Sequence, residues 1–543
     1  MSPHVFILLL ILAIIRAHTA SLYTVPQCSN SKLVPHTQYG EYEKRVICSG
    51  IQSLKDLSSL VKNDWKQLII FNPEKQQFLI DDVQDIFSPL EHLDLSQAGQ
   101  ISIDDTGFKA LTNMLTLNIS GCEIESLKGS HFNTYNKLEN LDASWNFLEE
   151  LSFDLKSKIL YLQSANFSHN AIKSIEQDSW QVFQKLKYLH LDNNELRTVN
   201  FYNYPQLQIL SLSDNQIVEL TTKSFDGLES MQEFIMTRNP SNFISSHTFR
   251  SMTQLRILNI SANSLELLNA DVFFGLGRLL ELDLSSNNLQ QLADGQFKHL
   301  TKLMFLDLSR NSLSALNSTA FKTLSSLRKL YLHENDIKEV GPNTFAQLIT
   351  LDTLDLSQNA IEYLGADIFG ASTLPRLKKL WLKSNNLKRL HPLAFSSLPF
   401  IQYLSLGNNE LTYLDVRMFA PMRRLDKIHL GNNLLEVIDP EVFDSLSDVG
   451  ELLIDNNRLS FLPDTNATFP KLRKVAVEGN PWQCPCWDEL TRLLEERQIE
   501  YVREQSPYYS GKKPLCVVTP VEACVKDLDI VRRYEIEEIF NRG

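Results

Sequence analysis

Long apolar runs are scarce in this sequence, and so are the motifs of catalysis. Past the first twenty residues no stretch supplies the apolar length of a membrane helix, which needs about 20 residues. The closing "DIVRRYEIEEIFNRG" is charged, which argues against a lipid-anchor signal. Basic residues are in deficit: 52 Lys and Arg against 65 Asp and Glu leave a net charge of −13. Neutralising phosphates needs clustered cations, so general nucleic-acid binding is not expected. There is no H-E-x-x-H, P-loop, G-x-S-x-G or dinucleotide fingerprint, and the twelve histidines are scattered. Heptads are not sustained, so coiled-coil dimerisation has no support. The expectation is a protein that is not an enzyme and holds neither metal nor cofactor.

Apolar character is concentrated at the start. "VFILLLILAII", Val5 to Ile15, is an unbroken run of eleven, the length of a signal-peptide core. Residues 1–20 are therefore read as a signal peptide cleaved near Ala20, and the mature protein as secreted and extracellular. Cysteine is sparse, seven in 543 residues, but exported cysteines pair. Cys28 and Cys48 lie near one end and Cys484, Cys486, Cys516 and Cys524 near the other, leaving Cys122 over.

What fills the sequence is a repeat. "LDLSSNNLQQL" at Leu282 is followed 24 residues later by "LDLSRNSLSAL", then by "LYLHENDIKEV", and seventeen such frames run from Leu93 to Val475. The exceptions to 24 are single steps of 21, 26 and 23. A degenerate unit near Ile69 is expected to precede them. Two leucines flanking one polar residue suit a half-buried strand, and one coil cannot bury both without a neighbour. The Asn after each strand is placed to bond turn backbones coil after coil. Phe249, Phe273, Phe297, Phe321, Phe345 and Phe369 recur every 24 residues as a second, opposite core row.

The frames resemble the extracellular leucine-rich-repeat family, L-x-x-L-x-L-x-x-N/C-x-L, and are similar to Toll-type ectodomains and secreted insect leucine-rich immune proteins. The resemblance implies an α/β-class leucine-rich-repeat solenoid, curved, with a parallel concave sheet, an irregular or short-helical convex side and disulfide-closed caps. It implies an N-terminal cap over 21–68, repeats over 69–479, a cysteine-rich C-terminal cap over 480–524 and a short tail over 525–543. It pairs Cys484 with Cys516 and Cys486 with Cys524, while Cys28 and Cys48 close an abbreviated N-terminal cap. Cys122 falls at the ladder position, where the family accepts Asn or Cys, and so reads as a buried structural thiol.

The residue between the leucines faces the concave side. Asn118, Asn166 and Asn259 there each head an N-x-S sequon, with Asn317 and Asn466 as further sequons between strands. Most of the five are expected to carry glycans, shielding the first half. The second half offers Tyr331, Trp381, Tyr403 and His429 among Lys329, Lys379 and Lys383. A strand position facing solvent has no core reason to hold Trp, and aromatic and basic side chains dominate interfaces. A ligand site centred on Trp381 and Tyr331 within a basic patch is expected. The implied function is recognition of another protein or a surface glycoconjugate, innate immunity being one version. A matrix or adhesion component, or a scaffold subunit of a secreted enzyme complex, is the alternative.

Overall fold

The computed structural model describes residues 27–30, 45–464, 469–501 and 513–542, apart from short stretches before residue 204. The segment read as a signal peptide, and Asn466, lie outside the described residues. Among the described residues no helix is long and apolar enough to cross a membrane. The chain forms two compact units, residues 1–257 and 258–543.

In the first unit, Gln27–Asn30 pairs antiparallel with Arg45–Ser49, and a disulfide joins Cys28 to Cys48 across that pair. Arg45–Ser49 then lies parallel to Gln67–Phe71, where Leu68 stands opposite Leu93 and fixes the degenerate unit in the frame. From His92–Gln97 to Glu233–Ile235 each frame adds a three-residue parallel rung in strict register. The second unit continues likewise from Glu281–Asp283 to Lys474–Ala476 and ends on Glu500–Tyr501. Register survives each irregular step: Leu189 stands opposite Leu210 across the step of 21, and Leu354 opposite Leu380 across that of 26. Sheet pairing tolerates no slip without inverting a side chain, so the length differences are absorbed between strands.

The frame leucines are the core. Leu282, Leu284, Leu306, Leu308, Leu330 and Leu332 are all 0% exposed, and burying each contributes about 2 kcal/mol. On the opposite side Phe273, Phe297, Phe321, Phe345 and Phe369 stack with ring centroids 5.7–6.2 Å apart. The asparagine ladder closes the turns. Asn311 donates from Nδ2 to the carbonyls of Leu284 and Leu308, each at 3.0 Å, and its Oδ1 accepts Leu289 N–H at 3.0 Å. The ladder reaches Asn480, whose Nδ2 donates to Ile454 and Val477 carbonyls at 2.9 Å.

The C-terminal seal is larger than the cysteine cap. Disulfides join Cys484 to Cys516 and Cys486 to Cys524, anchoring the helix Cys484–Glu496. Trp482 takes the next core position, 1% exposed, with its indole N–H on the Val477 carbonyl at 2.8 Å. The tail is not a loose appendage. It forms the helices Leu528–Arg532 and Ile536–Arg542, and its Val531 and Ile536 are buried against Phe461, Cys486 and Val517.

Candidate functional site

Strand register sets what the open face of the second unit presents. Asp283, Asp307, Tyr331, Asp355, Trp381, Ser405, His429, Leu453 and Ala476 succeed one another as direct cross-strand neighbours. Tyr403 faces the same way two residues before Ser405. Its ring lies 5.1 Å from Trp381 and 5.1 Å from His429. The Tyr403 hydroxyl and His429 Nδ1 are 3.2 Å apart. Trp381, Tyr403 and His429 thus form one half-buried aromatic triad. Ser405, flanked by two of its members, is 0% exposed, and its Oγ has no hydrogen-bond partner among the described residues. A buried hydroxyl without a partner costs free energy, so this triad tolerates an unsatisfied polar atom beneath an apolar surface.

Tyr331 belongs to a different neighbourhood. Asp355 stands between it and Trp381. Its ring contacts are Phe305 at 5.6 Å and His333 at 6.1 Å. Burial together with Asp307, Asp355 and Asp352 pushes the Tyr331 hydroxyl upward from its ordinary range. Trp381 and Tyr331, expected to share one centre, thus lie in two groups of side chains: an aromatic triad, and an acid-flanked tyrosine two rungs before Trp381.

The surrounding charge is mixed. Lys329, Lys379 and Lys383 are exposed. Lys378 is held by Asp352 at 2.9 Å and Lys427 by Glu451 at 2.7 Å. Burial lowers the His429 pKa, with Glu451 and Asp455 opposing that shift and Lys427 and Lys383 assisting it. Asp455 in turn is raised by burial. Its carboxylate oxygen lies 2.3 Å from where a Cβ on Gly431 would stand, so that glycine makes room for it. Among the described residues no three His, Cys, Asp or Glu side chains converge as a metal site requires.

The face aspartates have a structural task. Asp307 Oδ1 accepts the Ser309 N–H at 2.8 Å and its hydroxyl at 2.6 Å, and Asp355 does the same for Ser357. Asn118 and Asn259 make the identical turn with Ser120 and Ser261, and Asn166 accepts Ser168 N–H at 3.1 Å. In each, Oδ1 is engaged by the serine, as the aspartates' Oδ1 is. Asn317 is exposed, with Thr319 bonded to its Oδ1.

Sequence reasoning passed over a second aromatic group, in the first unit. Trp145 and Phe147 are 62% and 57% exposed, and Trp145 stacks on His169 at 3.7 Å. The signal was available: "SWN" and "SHN" recur at 24 residues, immediately before ladder asparagines.

No curated protein matches this chain in sequence. A chain of the glycosylated Toll–Spatzle complex from Drosophila is 17% identical, covering 86% of this chain and 69% of that one, with a TM-score of 0.61. YopM from Yersinia enterocolitica is 22% identical, covering 73% of this chain and 75% of that one, with a TM-score of 0.51. Likeness at these identities concerns the fold. The leucine-rich-repeat family model matches residues 237–289, 278–337, 325–372, 375–435 and 423–481. Those segments hold the same rungs, buried leucines and asparagine ladder that the first unit repeats, and both units are built of leucine-rich repeats.

Proposed function

We propose that this chain is a secreted recognition protein that binds another protein or a surface glycoconjugate on the open strand face of its second unit. The observation that carries the reading is the Trp381–Tyr403–His429 triad. Three rings are gathered on a solvent-facing sheet whose preceding rungs carry Asp283, Asp307 and Asp355, and they surround Ser405, whose hydroxyl has no partner among the described residues. Rigid aromatic side chains ringed by Lys379 and Lys383 have the composition of an interaction hot spot. Binding rather than catalysis fits the aspartate row, whose carboxylates are occupied in turns. The disulfides support an extracellular setting. Innate-immune recognition is the specific version favoured by the likeness to Toll-type ectodomains, and the sequons at Asn118, Asn166 and Asn259 fall on other rungs than the triad.

The test is cross-linking of the protein in its native extracellular fluid, with mass spectrometry of what is captured. Trp381→Ala with Tyr403→Ala is expected to weaken capture of that partner at least about tenfold. Retained capture in this folded double variant removes the triad from the site. Co-purification of a peptidase in fixed ratio would instead favour the scaffold-subunit reading.

A further inference from the structure

Just before each ladder residue the backbone of the first unit holds a left-handed residue: Gly121 (φ 68), Trp145 (φ 57), His169 (φ 56) and Asn193 (φ 53). These positions form a rail of neighbouring rungs. Gly121 N–H donates to Ser144 at 2.9 Å, Trp145 N–H to Ser168 at 2.9 Å, and His169 N–H to Asp192 at 2.8 Å. Along the rail, Trp145 and His169 lie face to face, 3.7 Å apart and 9° from parallel. The Asn193 amide follows at 3.5 Å from His169 Nε2. One face of the indole is thus covered. The rung on its other side is Gly121.

That glycine is not required by the backbone, because Trp, His and Asn adopt the same conformation on the next three rungs. Nor is it required by space: a Cβ there would meet nothing within 4 Å. Its effect is to leave a vacant rung against the open face of Trp145. Rungs of a sheet repeat at about 4.8 Å, and the Trp145–His169 pair shows that flat groups stack along this rail. Two acidic side chains follow Gly121 closely along the chain, at the second and fourth residues after it. Glu123 and Glu125 are exposed and make no ion pair among the described residues. Phe147, which donates its N–H to Ile124 at 2.9 Å, adds an exposed ring beside them.

We propose that this vacant rung is a binding site for an arginine side chain of a protein partner. A guanidinium is flat enough to continue the Trp145–His169 stack and, unlike a histidine ring, is cationic throughout the neutral pH range, so it can pair with Glu123 and Glu125. Lysine has the charge without the plane, and an aromatic ring has the plane without the charge. The site lies wholly within the first unit and stands whether or not the triad of the second unit binds anything.

The test uses the full chain and three short blocked peptides, identical except for a central arginine, citrulline or lysine, with binding read by saturation-transfer NMR. The arginine peptide is expected to bind saturably, and the citrulline and lysine peptides at least about tenfold more weakly. Gly121→Asn fills the rung with a side chain the next rungs show to be compatible, so its thermal midpoint should stay within about 2 °C of the parent while arginine-peptide affinity falls at least tenfold. Trp145→Ala should have the same effect on binding. No saturable binding of the arginine peptide, equal binding of the citrulline peptide, or undiminished affinity in Gly121→Asn each overturns the proposal.

Discussion

Asn146 Oδ1 accepts the backbone N–H of Cys122 at 3.1 Å and that of Ile124 at 2.9 Å, one coil away. Cys122 in turn points its thiol at the carbonyls of Leu95 and Ser120, at 3.2 and 3.3 Å. These are the same relative positions, 27 and 2 residues back, to which Asn146 Nδ2 donates. The thiol thus fills an asparagine's donor role at a ladder position. It is 0% exposed, and burial with the nearby Asp94 charge pushes its pKa up to about 12. Little thiolate exists at neutral pH, and the thiolate is the reactive form. In the native protein Cys122 is expected to resist maleimide labelling and to react only on unfolding, by mass spectrometry. Cys122→Asn should change stability by less than about 1 kcal/mol in denaturant unfolding. A covalent dimer abolished by that substitution contradicts this role.

The remaining ladder asparagines are less replaceable. Removing the Asn311 side chain leaves the buried Leu289 N–H without its acceptor and takes one of two amide donors from each of the carbonyls of Leu284 and Leu308, which keep Asn287 and Asn335. Asn311→Ala is expected to cost about 3 kcal/mol, and Asn311→Asp more, because a carboxylate would face those carbonyls. Urea unfolding of the two variants checks both the size and the order.

The sequon asparagines of the sheet face separate structure from glycosylation. Asn118 Oδ1 accepts from Ser120 as Asp94 and Asp142 accept from Ser96 and Ser144 on the adjoining rungs. Asn118→Asp keeps that turn and removes the glycan acceptor, so in unglycosylated protein it should leave the thermal midpoint unchanged. Asn118→Ala should lower stability by about 1 kcal/mol. Glycopeptide mass spectrometry gives occupancy at Asn118, Asn166 and Asn259, and bare asparagines there remove the shielding argument.

Legibility in the sequence followed periodicity. The rungs, the buried leucines, the phenylalanine row and the Asn480 and Trp482 endings all recur at or near a fixed step, and the structure repeats them. Side-chain grouping across adjacent rows was harder to read. Trp381 and Tyr331 share a row yet lie apart, because Asp355 occupies the rung between, whereas Tyr403 reaches both Trp381 and His429 from the neighbouring row. The tail has no repeat to match, so its packing on Phe461 left no periodic signal.

His429 confers a pH dependence on the triad. Its folded pKa lies below the ordinary value, chiefly through burial, so the folded state prefers the neutral ring. Between the folded and unfolded pKa values the unfolded chain binds the extra proton. The stabilisation is therefore complete above the unfolded value of 6.5 and is lost as pH falls through the lowered folded value. His429→Gln removes the titrating group. The stability difference between parent and variant is expected to be larger at about pH 7.5 than at about pH 5, and parallel curves of thermal midpoint against pH would contradict the assignment.

The C-terminal tail should behave as part of the cap. Val531 and Ile536 are 4% and 3% exposed, and they pack with Val517 and Phe461 over the Cys486–Cys524 disulfide. Ion pairs of Arg532 with Glu436 and of Lys526 with Asp464 tie the tail to the repeats, but such exposed pairs contribute little. Burial of the two apolar side chains stabilises more, by about 2 kcal/mol each. Truncation after Cys524 is therefore expected to destabilise the second unit by about 4 kcal/mol, seen as a lowered midpoint and faster proteolysis. Replacing Arg532 and Lys526 with Gln should cost less than about 1 kcal/mol together. If the charge replacements cost as much as the truncation, electrostatics rather than burial holds the tail.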